Sequence, residues 1–506
     1  MTGTDGGAGR DRSTPGEGRT DGGAVDDHLR TDGGTGPTSA ASSTPSLLGS
    51  DVLKIVALMA GIYLLFTGFG VALGYGTNGI VNTLQRVTFL AAVYAMAVLA
   101  LNLHWGYTGL FNIGVAGFMA VGAYAMMMLT APPSAPVPGL GLPFWVGAIG
   151  GTLAAAIVGG IAALPALRLR ADYLAIVTIA FAEIIRFVFR LSALQTFTVF
   201  GVRMGTGGAR GISGADPDTV LTDLLFSIPI VGSEVVIPIP GTGTGILIPS
   251  VLGSISTTLQ GMGVVPNVVR GWVYALVLIA VVAGFYWLLT RIGNSPFGRV
   301  LKAIREDEDV ARALGKDTAR FKIKAFMLGC GLMGLVGILW QGSRGFINPT
   351  ENFLPQVTFF VWIAMIIGGS GSNTGSVLGG ALFAALLFEG PRFAVNVVDA
   401  NVELGSAPST ISAAVADLLG GDVASMAAYV MGNIDALRFV LVGVILIYLM
   451  QNRPDGLLGH RKETAASIDL SRPARTRSRG PTDPEVAADG AGTGAGSDAG
   501  PGGDGQ

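Results

Sequence analysis

Five apolar runs, 52–74, 84–103, 143–164, 270–290 and 434–450, each come close to the roughly 20 residues that a helix needs to cross the hydrocarbon core of a bilayer. A backbone in hydrocarbon has no water to satisfy its N–H and C=O groups, so such segments must be helical and must lean on one another. Composition points the same way, with 50% hydrophobic and 13% charged residues, a mean hydropathy of +0.57 and hence a balance outside that of ordinary soluble domains. Weaker runs at 110–130, 172–191, 323–341, 356–368 and 376–390 bring the total to about ten spans. The expected fold is an all-α, polytopic membrane protein with its membrane domain over 51–460.

Lys and Arg near span ends mark the cytoplasmic side. Arg291, Arg299, Lys302, Arg305, Arg312, Lys316, Arg320 and Lys322 fall between the sixth and seventh spans, with Lys324 at the start of the seventh, which places 291–322 inside. Arg168 and Arg170, and beyond the last span Arg453, Arg461 and Lys462, fall on the same side. An even number of spans with both termini cytoplasmic follows. Residues 1–50 and 461–506, rich in small and polar types, read as disordered cytoplasmic tails. Residues 192–269 and 391–433 become extracytoplasmic loops. The first, dense in Gly and Pro, either packs over the mouth of the bundle, meets a partner, or is an insertion without a role.

The formal net charge of −2 and the scattered basic residues exclude a nucleic-acid surface. The single cysteine, Cys330, permits neither an intrachain disulfide nor a cysteine-based metal site. No metal or bound cofactor is expected.

The wettest stretch is "NSPFGRVLKAIREDEDVARALGKDTARFKIKAF" at 294–326. Ser295 and Pro296 suit a helix start. A second short helix follows, with Glu306, Asp307, Glu308 and Asp309 at its beginning, Arg312 and Lys316 at its end and Gly315 placed to close it, a charge order that matches the helix dipole. Val310, Ala311 and Leu314 form one apolar stripe, and Val300, Leu301 and Ile304 another. An acidic cluster would be repelled by anionic lipid, so the two amphipathic helices suit docking of a soluble partner better than lying in the headgroups. Farther on, "GGSGSNTGS" at 368–376 interrupts the apolar pattern. It reads either as a broken helix lining a polar pathway or as a tight turn between short helices.

This charged stretch resembles the cytoplasmic coupling segment of the permease subunits of branched-chain amino acid ABC transporters, in particular the LivM-type subunit. Three further stretches resemble the same family in the same order: "LNLHWGYTGLFNIGVAGFMAVGAYAMMML" from Leu101, "LRLRADYLAIVTIAFAEIIRFV" from Leu167 and "IGGSGSNTGSVLGGALFAALLFE" from Ile367. Val115 stands where similar proteins usually have His. The resemblance implies an importer subunit working with a second permease, two cytoplasmic ATPases, an extracytoplasmic substrate-binding protein and the surrounding lipid. It implies that Arg305, Glu306, Asp307, Glu308, Val310, Ala311, Leu314 and Gly315 couple the chain to an ATPase. Nowhere does the sequence carry a G-x-x-x-x-G-K-[ST] phosphate loop, so ATP is expected to be hydrolysed by the partners. The implied cargo is a branched-chain or other apolar amino acid. The alternatives are urea or a short amide and, from a different class, ion-coupled secondary transport, for which a second mid-membrane acid is lacking.

Glu183, Arg186 and Arg190 recur at spacings of three and seven and so share one helix face. Ionisable residues inside a membrane take partners or face water. The trio is therefore either a structural ion pair or part of a pathway touching a zwitterionic substrate. His104, with no second histidine near it, suits a hydrogen-bonded or interfacial role, and Trp105 and Tyr107 suit an aromatic belt. Glu389 and Arg392 are expected to reach water at a span end. Gly114, Gly117 and Gly122, the group Gly368, Gly369, Gly371 and Gly375, and the ridge Gly151, Ala155, Gly159 and Ala163 are expected to allow close helix packing.

Overall fold

A computed structural model describes residues 47–166, 171–199, 201–238, 245–393, 395, 407–453 and 455–458. Arg168, Arg170, Arg461, Lys462, nearly all of both tails and part of 391–433 lie outside the described residues. The chain divides into Met1–Gly49 and Ser50–Gln506, and the fold below is that of the second unit.

The membrane-type helices are α1 (Leu47–Ala72), α2 (Thr77–Thr108), α3 (Val115–Thr130), α4 (Phe144–Ala166) and α5 (Ala171–Arg190). Between α5 and the next long helix lie α6 (Pro217–Ser227), α7 (Val251–Gly261) and five short strands, β1 (Phe197–Val199), β2 (Val202–Met204), β3 (Ile212–Ser213), β4 (Val235–Pro238) and β5 (Gly245–Ile248). The chain continues through α8 (Pro266–Asn294), α9 (Pro296–Glu306), α10 (Glu308–Ala313), α11 (Thr318–Trp340), β6 (Phe346–Ile347), α12 (Pro355–Gly368) and α13 (Asn373–Leu382). A π-helical stretch, Phe383–Glu389, extends α13, and α14 (Ile411–Leu419), α15 (Val423–Gly432) and α16 (Ile434–Asn452) complete the described chain.

Six helices among the described residues are long and apolar enough to cross a membrane, namely α1, α2, α4, α8, α11 and α13 with its extension. That is fewer than the expected ten. Four segments fall short: that at 172–191 forms α5 but carries three charges in its second half, those at 110–130 and 356–368 yield helices of 16 and 14 residues, and that at 434–450 forms α16, whose apolar stretch among the described residues is Val442–Asn452.

The bundle is organised around α2. Of its most apolar window 89% is buried, against 17% for α1, so α2 is an axis and α1 a rim. Apolar side chains gain little by leaving lipid for a helix neighbour, so close contact and polar bridges must hold such a bundle. The small-residue ridge of α4 supplies the contact. A Cβ on Gly151 would lie 2.4 Å from the Gly122 carbonyl oxygen, and one on Gly334 would lie 2.4 Å from Ala155 Cβ. Helices α3, α4 and α11 thus touch backbone to backbone.

Two breaks position the functional region. Between α12 and α13 the glycine-rich stretch is a turn, with Gly369 and Gly371 at φ +96° and +82°, the left-handed region that favours glycine. The second break replaces the first part of the continuous helix expected over 110–130. After α2 the chain runs without helix from Gly109 to Gly114 before α3 begins, although Leu110 and Asn112 are buried. The loop between α5 and α8 folds back on the bundle: β3 pairs antiparallel with β6, and Ala215 N donates to Thr130 Oγ1 at 3.0 Å.

Candidate functional site: the charged segment and the interrupted helix

Helix α9 starts where Ser295 Oγ accepts from Gly298 N at 3.2 Å, with Pro296 at its first position. Asp307 caps α10 by accepting from the N–H groups of Asp309 and Val310. Gly315, at φ +78°, ends the unit and turns the chain into α11. The apolar stripe of α9 is spent on the bundle, since Leu301 and Ile304 are buried. That of α10 divides: Ala311 turns inward, while Val310 and Leu314 remain 55% and 73% exposed, flanked by exposed Glu306, Asp309 and Arg312.

Glu308 faces back toward α11. Its carboxylate accepts from Lys322 Nζ at 2.5 Å, Thr318 Oγ1 at 3.0 Å and Arg312 Nη2 at 3.2 Å. Partial burial disfavours the charge, but the Lys322 hydrogen bond and charge, the Thr318 hydroxyl and Arg312 outweigh it and hold the pKa below its ordinary value. This carboxylate fixes the orientation of α10, and with it the way Val310 and Leu314 face.

Arg305 also faces inward. Its Nη1 donates to the Gly106 carbonyl near the end of α2, while Nε and Nη2 meet Glu306. A Cβ on Gly371 would lie 3.3 Å from Arg305 Nη1, so the guanidinium rests against both α2 and the turn before α13. Lys302 adds a cation over the Tyr107 ring at 5.8 Å. Behind Arg305 runs a polar chain. Asn102 Oδ1 accepts from Gly371 N at 2.8 Å and its Nδ2 donates to Asn373 Oδ1 at 3.1 Å. Tyr107 donates to the same Asn373 oxygen at 3.0 Å, and Asn373 Nδ2 reaches Thr290 Oγ1 of α8 at 3.2 Å. Arg305 thus ties α9 to α2 at Gly106, and the connected set of hydrogen bonds beside it ties α2 to α8 and α13.

The buried backbone around the interrupted segment Gly109–Gly114 is paired, as buried backbone must be, partly by the Trp105, His104 and Leu110 carbonyls and partly by side chains. Ile113 N donates to Thr178 Oγ1, Gly114 N to Asn112 Oδ1 and Ala116 N to Thr358 Oγ1, all between 2.8 and 2.9 Å. Trp362 Nε1 donates to the Asn112 carbonyl. His104, fully buried, contacts Asn112 Nδ2 through Nδ1 and the Phe326 carbonyl through Nε2, each at 3.1 Å. Asn112 can only donate there, so Nδ1 accepts and Nε2–H is the donor. Histidine is thus a pin between α2, α11 and the break. The aromatic-belt expectation is corrected for its neighbours: Tyr107 is buried in the polar chain, and Trp105 packs on Phe111 and Trp362.

Beside this break, α3, α5 and the start of α12 enclose a small cleft lined by Ile113, Ala116, Ile179, Glu183, Pro355 and Thr358. Glu183 and Arg186 form a bidentate pair, with Arg186 Nε donating to Oε1 at 3.1 Å and Nη2 to Oε2 at 2.8 Å. Arg190 stays exposed with its guanidinium 5.6 Å from the centre of the Phe187 ring.

The glycines sort clearly. A Cβ on Gly114 would meet the Thr178 carbonyl at 2.7 Å, on Gly117 Ala182 Cα at 2.6 Å and on Gly122 Gly334 at 2.5 Å; Gly368 and Gly375 face each other, with 2.0 Å from the first to the second's carbonyl oxygen. Glu389 corrects another expectation: it is 5% exposed and pairs with Arg86 of α2 at 3.4 Å, because the π-helical turn rotates it into the bundle, whereas Arg392 remains exposed. Among the described residues no group of three His, Cys, Asp or Glu is placed to hold a metal. Sequence reasoning missed Asn102, Asn112, Asn373, Thr358 and Arg86. The only available signal was an isolated amide or cation within an apolar run.

Residues 83–391 match the family model described as the permease component of branched-chain amino acid transport systems. The high-affinity branched-chain amino acid transport system permease protein LivM of Escherichia coli (strain K12) is 30% identical over 338 residues, 67% of this chain and 69% of that protein. Its namesake from Salmonella typhimurium is 30% identical over 58% of this chain and 61% of its own length. The probable LivM of Methanocaldococcus jannaschii is 26% identical over 59% of this chain and 79% of its own. No solved structure matches the chain.

Proposed function

Since the chain belongs to the branched-chain amino acid transport permease family, as a LivM-type member, we propose that it works as one of two permease subunits importing branched-chain or similar apolar amino acids. In this reading, two cytoplasmic ATPases supply the energy and an extracytoplasmic binding protein delivers the cargo. The observation that carries the reading is the split face of α9–α10. One side is anchored in the bundle through Arg305, Leu301, Ile304 and Glu308, and the other leaves Val310 and Leu314 uncovered in a charged rim. An apolar pair with a polar surround suits a soluble protein that must push and release.

Arg305 sits between that face and the polar chain of Asn102, Tyr107 and Asn373. Movement of α9–α10 is thereby handed to α2, α8 and the turn before α13, rather than absorbed in a loose loop. The family reading, the positive charge of 291–322 and the length of α8 support about ten spans with both termini cytoplasmic.

The test is reconstitution of the permease pair with its ATPases and binding protein in vesicles. ATP-dependent accumulation of leucine, isoleucine or valine is expected. Accumulation driven by an ion gradient with this chain alone, or leucine-independent uptake of urea, would overturn the reading.

A further inference from the structure

Helix α7 has two faces, and the bundle covers only part of the apolar one. At about 3.6 residues per turn, Val251, Leu252, Ile255 and Leu259, with Met262 just beyond the helix end, share one arc of about 100°, and Ser254, Ser256, Thr257, Thr258 and Gln260 fill the rest. One edge of the apolar arc is covered, where Leu259 joins Val81 of α2 and Trp272 of α8 in packing on buried Val264, Val268 and Val269. The other edge is open, with Val251, Ile255 and Met262 between 48% and 58% exposed. Ile230 and Val231, exposed as well, are held beside Val251, because their carbonyls accept from Val251 N at 2.9 Å and Leu252 N at 2.8 Å. Ile230 sits at φ +69°, a left-handed conformation that β-branched residues avoid, so this apolar corner is kept against backbone strain.

We propose that α7 lies in the headgroup–acyl boundary of the bilayer, at the membrane face opposite α9–α10, with Val251, Ile255 and Met262 in lipid. Position names lipid as the occupant. Leu276, Ile279 and Trp287 are exposed on α8, a helix long and apolar enough to cross a membrane, and their row, continued at helical spacing toward Pro266, passes through Trp272, Val269 and Val265. Helix α7 therefore leans on the end of the face that α8 turns to lipid, and its open stripe prolongs that face. The same corner is tied to the rim of the bundle. Val265 N donates to Asn78 Oδ1 at 3.0 Å and Trp272 Nε1 to the Val81 carbonyl at 3.2 Å, both at the start of α2, just after α1 with its exposed Leu64, Leu65, Phe69 and Val71. Charge agrees. Residues 235–269 contain no Asp, Glu, Lys, Arg or His, so α7 strands no charge in lipid and is repelled by no headgroup. A soluble partner would meet no charged rim on α7 like the one that surrounds Val310 and Leu314. The inference needs only the membrane fold and is independent of the cargo.

The experiment uses the full chain in its complex, reconstituted in phosphatidylcholine nanodiscs with partner subunits that lack exposed cysteine. Because native Cys330 is fully buried, Ile255→Cys and Met262→Cys each give this chain one reactive thiol for a nitroxide label, and Thr257→Cys is the control on the opposite face. Labels at 255 and 262 should collide with oxygen several-fold more often than with a water-soluble nickel chelate, at a depth of about 5–10 Å, and the label at 257 should show the reverse. Nickel collisions dominating at 255 and 262 would leave the stripe in water. Labels there shielded from both reagents, with or without the extracytoplasmic binding protein, would make it a protein interface. Either result overturns the proposal.

Discussion

At the residue scale, Arg305 and Glu308 look alike in the sequence and do different things. Arg305 binds one carbonyl of α2 and a neighbouring carboxylate with a planar fork, which a lysine cannot reproduce. Arg305→Lys and Arg305→Ala should both leave ATP hydrolysis running and lower amino acid uptake per ATP by about tenfold, read as the ratio of the two rates in vesicles. Glu308 carries a pH signature. Its pKa is lowered in the folded chain, so its contribution is complete above the ordinary value of 4.5 and is lost as pH falls below that. Hydrogen exchange in α10 should therefore accelerate on acidification below 4.5, and Glu308→Gln should exchange faster at neutral pH and lose that dependence. The sequence told which residues start and stop these helices, because caps are local chemistry. Two apolar stripes with the same internal spacing look the same on paper, so it did not tell which would be covered.

At the element scale, α9–α10 and the Gly109–Gly114 break were legible to different degrees. Ser295, Pro296, Asp307 and Gly315 mark the first by short-range rules. The break leaves only two glycines and one asparagine in an apolar run. Its other partners, Thr178 and Thr358, lie 65 and 242 residues from Ile113 and Ala116, and no local pattern reports such a distance. Thr358→Val strands the buried Ala116 N–H and should destabilise the detergent-solubilised complex by about 1–3 kcal/mol, with Thr358→Ser restoring most of it in thermal unfolding. Gly315→Pro forces φ from +78° to about −65°. Leu314→Asp puts a charge on the uncovered face. Both variants should insert normally and fail to stimulate the ATPases, measured as binding-protein-dependent hydrolysis.

For the whole molecule, the six long helices and the family match were visible early, because apolar length and collinear motifs survive without structure. The buried Arg86–Glu389 pair was not, since a π-helical turn shifts the helix phase that periodicity assumes. Helix α8 joins the Arg270–Asp223 pair near one end to the Ser295 cap at the other, a span of about 40 Å at 1.5 Å per residue. In intact cells a membrane-impermeant maleimide should label Asp223→Cys, and should reach Lys316→Cys only after lysis. Labelling of Lys316→Cys from outside would invert the topology.

Where Gly122 presses main chain on main chain against Gly151 and Gly334, the three glycines themselves have no side chain to slide or swap rotamers. That corner behaves as a fixed post, and whatever swings during a transport cycle has to swing around it, as a door does on its jamb.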